Sequence, residues 1–202
     1  YALITIAIFG MWYYARYEGN FLPSPKKSFN PMMIVAIVIL VPGTQFAANF
    51  IANLTGYIRP DWLQQYNELF ETSGITDTTF VTVLYSVILA PICEELIFRG
   101  VTMRCARKAL PFALANLMQA ALFGLFHLNW IQGIYAFALG IVLGYVCERG
   151  GSIYYSMGLH LLFNLWGTLS GFFPDPGNSV VVFVVVIVVT IVSLVAGFVL
   201  FN

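Results

Sequence analysis

The sequence predicts an all-α fold, a polytopic bundle of transmembrane helices, from two observations. First, 60% of the 202 residues are hydrophobic and only 9% are charged, whereas about 25% of the residues in a typical soluble protein are charged. Second, the apolar residues are collected in runs that suit membrane-crossing helices, which need about 20 residues. This composition excludes a soluble enzyme and a disordered chain. Nine basic residues balanced by nine acidic ones leave no basic surface for nucleic acid.

Seven apolar runs predict seven spans, because only helices and closed barrels satisfy the backbone in lipid and these runs are far longer than barrel strands. They cover residues 1–14, 31–54, 78–98, 111–130, 131–146, 153–173 and 179–201. The first run is short and has no initiator Met, so we expect a further span before it and eight in the full chain. Residues 61–71 predict an amphipathic helix on one membrane face. We expect a single domain over residues 1–202, with its catalytic core at about 78–173.

The charges of the loops predict an orientation. Residues 16–27 and 99–108 are rich in Arg and Lys, whereas residues 59–77 carry four acidic side chains and one basic one. Because basic loops stay in the cytoplasm, we expect the two basic loops inside. The compact size favours the cell membrane of a prokaryote.

Few ionisable residues lie in the predicted spans, and such residues are functional candidates because lipid makes them costly. They are Glu94, Glu95, His127 and His160, and Asn164 follows His160 by four residues on the same helix face. Glu94 precedes Leu110 by 16 residues and His127 follows it by 17. With a turn at Leu110, both lie about 25 Å from it. We therefore expect Glu94 and His127 at one level, with His160 and Asn164 within about two helical turns.

Each of these residues also has a structural interpretation when it is taken alone. A single His or Asn in a membrane helix can bond to a neighbouring helix. Glu95 and Arg99 are four residues apart, which suits an ion pair on one helix. These interpretations leave unexplained why two carboxylates, two histidines and one Asn share compatible depths.

Three short motifs in this set resemble the pattern of the CPBP family, which comprises the type II CAAX prenyl endopeptidases and the Abi or bacteriocin-processing proteins. They are Glu94-Glu95-x-x-x-Arg99, Phe123-x-x-x-His127 and His160-x-x-x-Asn164. They stand in the family's order, and the resemblance covers roughly residues 87–166. It implies an intramembrane endopeptidase that cuts a membrane-associated or lipid-modified protein or peptide, such as a prenylated protein or a peptide precursor.

The resemblance also implies roles for the site residues, and we expect no cofactor. Glu94 would be the catalytic carboxylate and His127 its partner on the attacking water, while His160 and Asn164 would hold the oxyanion. Glu95, Arg99 and Phe123 would support them. This chemistry is reasonable for amide hydrolysis, which needs a base for the water and donors for the developing oxyanion. The expected partners are a peptide or protein substrate and the lipid bilayer, and no nucleic acid.

Three other functions compete with this interpretation. Glu94, His127 and His160 could supply three zinc ligands of a metalloprotease with an open fourth position, although the chain has no H-E-x-x-H helix. A non-catalytic membrane adaptor or immunity protein would keep an inherited site and bind a peptide or partner. A transporter would use the buried acids and histidines as a proton relay, but no inverted repeat is visible.

Overall fold

The computed structural model describes residues 2–17, 30–73, 79–170 and 179–201. These ranges contain eight helices and no strand, which confirms the all-α prediction. The helices are α1 (Ala2–Tyr17), α2 (Pro31–Ile58), α3 (Pro60–Ser73), α4 (Phe80–Ala106), α5 (Phe112–Phe126), α6 (Trp130–Gly150), α7 (Ile153–Ser170) and α8 (Val180–Leu200).

Four of these helices, α2, α4, α6 and α8, are long and apolar enough to cross a membrane, as expected of an integral membrane protein. The structure does not confirm seven spans. The 15 residues of α5 extend about 22 Å, which is less than the hydrocarbon core of about 30 Å. The 16 residues of α1 are short for the same reason, and α7 carries polar side chains. The predicted span ends at Tyr1, Thr78 and residues 171–173 lie outside the described residues.

The amphipathic helix α3 is docked on α6. Trp62 of α3 stacks on Trp130, the first residue of α6, with ring centroids 5.3 Å apart. One turn further along α3, the Tyr66 side chain is hydrogen-bonded to that of Tyr135. Arg59 lies 4.2 Å over the Trp62 ring. The amphipathic pattern predicted the helix, and two aromatic pairs attach it to the bundle.

Two segments of α4 are π-helical, Leu84–Leu89 and Leu96–Met103, and they flank the α-helical segment Ala90–Glu95. Pro91 contributes to this winding, because it has no N–H to donate to the carbonyl four residues earlier. Isolated π-helical turns are frequent at functional sites. Glu94 and Glu95 therefore lie between two places where the helix changes its winding.

Ser193 of α8 interrupts the hydrogen-bond ladder of α2 just after Pro42. Gly43 donates its backbone N–H to the Ser193 hydroxyl at 2.8 Å, and that hydroxyl donates to the carbonyl of Ile39. In an uninterrupted α-helix these two backbone groups would pair with each other. A side chain inserted between them is a known cause of an irregular helix. Residue 43 must be small here, because a Cβ would lie 2.6 Å from the Ser193 hydroxyl.

At the basic end of the bundle, where Arg104, Arg107 and Lys108 lie, an ion pair joins the α4–α5 connection to α6. Arg107, in the α4–α5 connection, donates to Glu148 near the end of α6 at 3.1 Å. Most of the predicted cytoplasmic loop at residues 99–108 is helical, because α4 continues to Ala106, and Arg99 is buried inside the bundle. Lys26, Lys27 and Asp77, on which the orientation argument also depends, lie outside the described residues.

We predict that Ser193→Ala destabilises the protein by about 1–3 kcal/mol, because it leaves the N–H of Gly43 and the carbonyl of Ile39 without their partner. The measurement is the thermal unfolding midpoint in detergent. Thr190→Val is the matched control, since the Thr190 hydroxyl donates to the Val186 carbonyl of its own helix. An unchanged midpoint for Ser193→Ala would mean that the Gly43 N–H and the Ile39 carbonyl pair with each other once the hydroxyl is removed.

Candidate active site

His127 lies at the end of α5, which corrects the prediction of a continuous span to Trp130. The helix stops at Phe126 and His127 caps it. Leu128 then adopts a positive φ of 54°, which ends helical winding for an L-residue. Asn129 accepts a hydrogen bond from the backbone N–H of Gln132 at 3.1 Å and so starts α6. The boundary was misplaced because Asn129 is an N-cap residue that the apolar run concealed.

The ring orientation of His127 is set by its own helix. Its Nδ1 lies 2.8 Å from the Phe123 carbonyl oxygen. Because a carbonyl only accepts, Nδ1 carries the proton and Nε2 is the acceptor of the neutral ring. The side chain also interacts electrostatically with Glu94.

Glu95 is fully buried and forms the ion pair with Arg99 that the spacing predicted. Arg99 Nη1 donates to Glu95 Oε1 at 2.8 Å, and both side chains have no exposed surface. The same carboxylate oxygen lies 2.9 Å from Nδ1 of His160 on α7. The structure therefore places His160 beside the acidic pair, a contact that the sequence did not predict.

Glu94 has a different environment from its neighbour. Its Oε2 lies 3.6 Å from Nε2 of His160, and its side chain is 17% exposed. The two carboxylates thus face the two nitrogens of one imidazole ring. Adjacent acids in unlike environments can take different roles.

Phe123 lies at the centre of the site and contacts residues of all three motifs. Its buried ring meets His127 edge-on at a centroid distance of 4.9 Å and His160 at 5.7 Å. The Arg99 guanidinium lies 4.5 Å from the centre of the ring. An aromatic ring at this position packs with the imidazoles and with the cation.

Asn164 connects α7 to the first π-helical segment of α4. Its Nδ2 donates to the carbonyl oxygen of Ser86 at 2.8 Å. Asn164 lies one turn beyond His160, as the four-residue spacing predicted. Its amide thus helps to hold α7 against the helix that carries both glutamates.

The motif pattern is also found by comparison with known proteins. A family model described as type II CAAX prenyl endopeptidase Rce1-like matches residues 76–166, a range that includes all three motifs. The match supports a CPBP-family protease. It confirms the resemblance predicted from the motifs, and this family implies a protease that acts on a peptide or protein substrate. No curated protein and no solved structure matches the chain.

Two buried amides, Gln119 and Asn116, lie beside the motif residues, and neither was predicted from the sequence. Gln119 donates to the carbonyl oxygen of Gly140 at 2.8 Å, which also accepts from Arg99 at 3.2 Å. Asn116 accepts from Gln119 at 2.7 Å and donates to the Ile141 carbonyl oxygen at 3.0 Å. The sequence did contain a signal for them, because two amides three residues apart in an apolar helix need hydrogen-bond partners in lipid.

The zinc alternative requires ligands that converge on one point. In the part of the chain that the structure describes, no three His, Cys, Asp or Glu side chains form a group that could hold a metal ion. His160 instead lies between the two glutamates, and Phe123 contacts both histidines.

We predict that Gly124→Ala lowers the thermal midpoint, with a destabilisation of about 1–3 kcal/mol, the usual range for overpacking. A Cβ at Gly124 would lie 2.5 Å from the backbone oxygen of Gly133, so α5 and α6 must separate beside the turn that carries His127. Gly167→Ala is the matched control, because a Cβ there meets nothing within 4 Å. It should be neutral or stabilise by about 0.5–1 kcal/mol. Equal midpoints for both variants would contradict this tight contact.

Proposed function

We propose that this protein is an intramembrane endopeptidase of the CAAX type. It hydrolyses a peptide bond in a membrane-associated or lipid-modified protein or peptide, in the cell membrane of a prokaryote. The observation that carries the proposal is the grouping of Glu94, Glu95 and His160, with Phe123 between His160 and His127, inside an apolar bundle. Ionisable groups gathered in this way within membrane helices are typical of a functional site.

Glu94 is the general base in this proposal. Its carboxylate is partly exposed, so a water molecule can reach it, whereas Glu95 is buried and paired with Arg99. The water oxygen attacks the scissile carbonyl carbon while its proton passes to Glu94. The same proton then goes to the leaving amine when the tetrahedral intermediate collapses. His127 orients the water, because its Nε2 is free to accept while Nδ1 donates to Phe123.

His160 and Asn164 supply the donors for the oxyanion in this proposal. An amide nitrogen has two N–H bonds, so Asn164 keeps one while it donates the other to Ser86. His160 donates through Nδ1 to Glu95, and its Nε2 donates as well when the ring carries both protons. Donors already in place cost little reorganisation as negative charge develops.

We predict that Glu94→Gln abolishes cleavage and leaves the protein folded, because the amide cannot accept the proton of the water. The measurement is mass spectrometry of the products from a panel of prenylated and unmodified membrane peptides. Glu68→Gln is the matched control, since Glu68 lies on the exposed face of α3 and accepts hydrogen bonds from neighbours on that helix. A folded Glu94→Gln protein that cleaves at the wild-type rate would refute the role of Glu94. Wild-type protein that binds peptides without cleaving any of them would favour the adaptor function.

We predict that His160→Ala and Asn164→Ala each lower kcat by about a hundredfold or more, the range for removal of one preorganised donor. KM should change little, because these donors act on charge that appears only in the transition state. Steady-state kinetics on a cleaved peptide measures both constants. A rise in KM with intact kcat would instead assign the two residues to substrate binding.

We predict that activity survives extended dialysis against a strong chelator and that purified protein holds much less than one equivalent of zinc. The base and the oxyanion donors must flank a peptide bond, whereas zinc ligands converge at about 2.0–2.1 Å from one ion. Elemental analysis measures the zinc content, and peptidase assays before and after dialysis measure the activity. Stoichiometric zinc whose removal ends activity, and whose return restores it, would establish the metalloprotease instead.

A further inference from the structure

We propose that Glu95 is a positioning residue that holds the imidazole of His160 so that its Nε2 faces Glu94. This inference rests on the proposed function, and it assigns Glu95 a role beyond its ion pair with Arg99. Three successive contacts carry it, from Gly140 to Arg99, from Arg99 to Glu95 and from Glu95 to His160.

The first step is the anchoring of Arg99. Its Nη2 donates to the Gly140 carbonyl oxygen at 3.2 Å, and its guanidinium lies over the Phe123 ring at 4.5 Å. Gln119 donates to the same carbonyl. The cation is therefore held by α5 and α6 and has no exposed surface.

The second step is the position of the Glu95 carboxylate. Its Oε1 accepts from Arg99 at 2.8 Å and from His160 at 2.9 Å. Because one oxygen takes both bonds, the location of the guanidinium determines where the imidazole can bond. An ionised carboxylate only accepts, so Nδ1 of His160 carries the proton of this bond.

The third step is the orientation of the ring. With Nδ1 bound to Glu95 and the ring edge-on to Phe123 at an interplanar angle of 88°, the opposite edge presents Nε2 to Glu94 at 3.6 Å. A ring turned over about its long axis would replace Nδ1 with a carbon and lose the bond to Glu95. A partner on one ring nitrogen thus determines what the other nitrogen offers.

A purely structural ion pair does not account for this arrangement. Replacing a buried ion pair with apolar residues of similar size is often neutral or stabilising. What an apolar pair cannot supply is the acceptor for His160. Carboxylates that orient functional histidines typically contribute about 10–100-fold to metal affinity or activity in metal sites, and we expect a similar effect here.

The test is the apolar double variant Glu95→Leu/Arg99→Met, which removes the acceptor without leaving a buried charge. We expect kcat to fall by about 10–100-fold with KM unchanged, because the bond orients a catalytic group. Arg107→Met/Glu148→Leu is the control, since it removes an ion pair at the basic end of the bundle, and it should leave both constants unchanged. A folded Glu95→Leu/Arg99→Met protein with wild-type kcat would overturn the proposal.

A second readout needs no substrate and therefore separates this inference from the proposed function. The chain has two histidines, so ¹⁵N-histidine NMR resolves His160 once His127→Asn has assigned the other ring. We expect a slowly exchanging Nδ1 proton on His160 in the wild type and its loss in the double variant.

If the double variant does not fold, Glu95→Gln replaces it. In Glu95→Gln the Nδ1 proton signal should shift and kcat should fall, because a neutral amide is a weaker acceptor. An unchanged His160 signal in the folded variant would refute the positioning role even if no peptide is ever cleaved.

Discussion

The burial of one carboxylate determines how the centre of this bundle is built. Glu95 has no exposed surface, and an isolated ionised carboxylate in apolar surroundings is strongly unfavourable. It is compensated by Arg99 on its own helix and by His160 on α7. Arg99 in turn needs the Gly140 carbonyl, which brings α6 close to α4. The requirement to satisfy one charge thus connects α4, α6 and α7 around the same point, and Phe123 of α5 fills the space between them.

Helix periodicity could predict the contacts that lie within one helix. The spacing of Glu95 and Arg99 predicted their ion pair, and that of His160 and Asn164 placed them one turn apart. The same pattern predicted α3 within two residues at each end. Of the seven predicted spans, four correspond to helices long and apolar enough to cross a membrane, α2, α4, α6 and α8, because long apolar runs leave little choice of structure in lipid.

The contacts between helices could not be predicted in this way, since periodicity does not determine how one helix is rotated against another. The bond from His160 to Glu95 depends on that rotation and on the π-helical winding of α4, which breaks the 3.6-residue repeat. The bridge from Ser193 to α2 joins residues 150 positions apart. Gln119 was not predicted because it belongs to none of the three motifs, and its partner, the Gly140 carbonyl oxygen, lies on another helix. The turn at Leu128 was hidden because a positive φ at a leucine has no sequence signature.

The π-helical segment Leu84–Leu89 accommodates one extra residue in α4 ahead of the paired glutamates. Each residue of an α-helix turns the chain by about 100°, and a π-helical turn accommodates one residue more than an α-helical turn. A chain with one deletion in this segment would return to α-helical winding and keep both glutamates on the same face, because the π-helical turn accommodates the extra residue. Every motif residue would still be present in its sequence. Alignments of related chains should therefore treat a one-residue gap before the paired glutamates as compatible with the site when the three motifs agree.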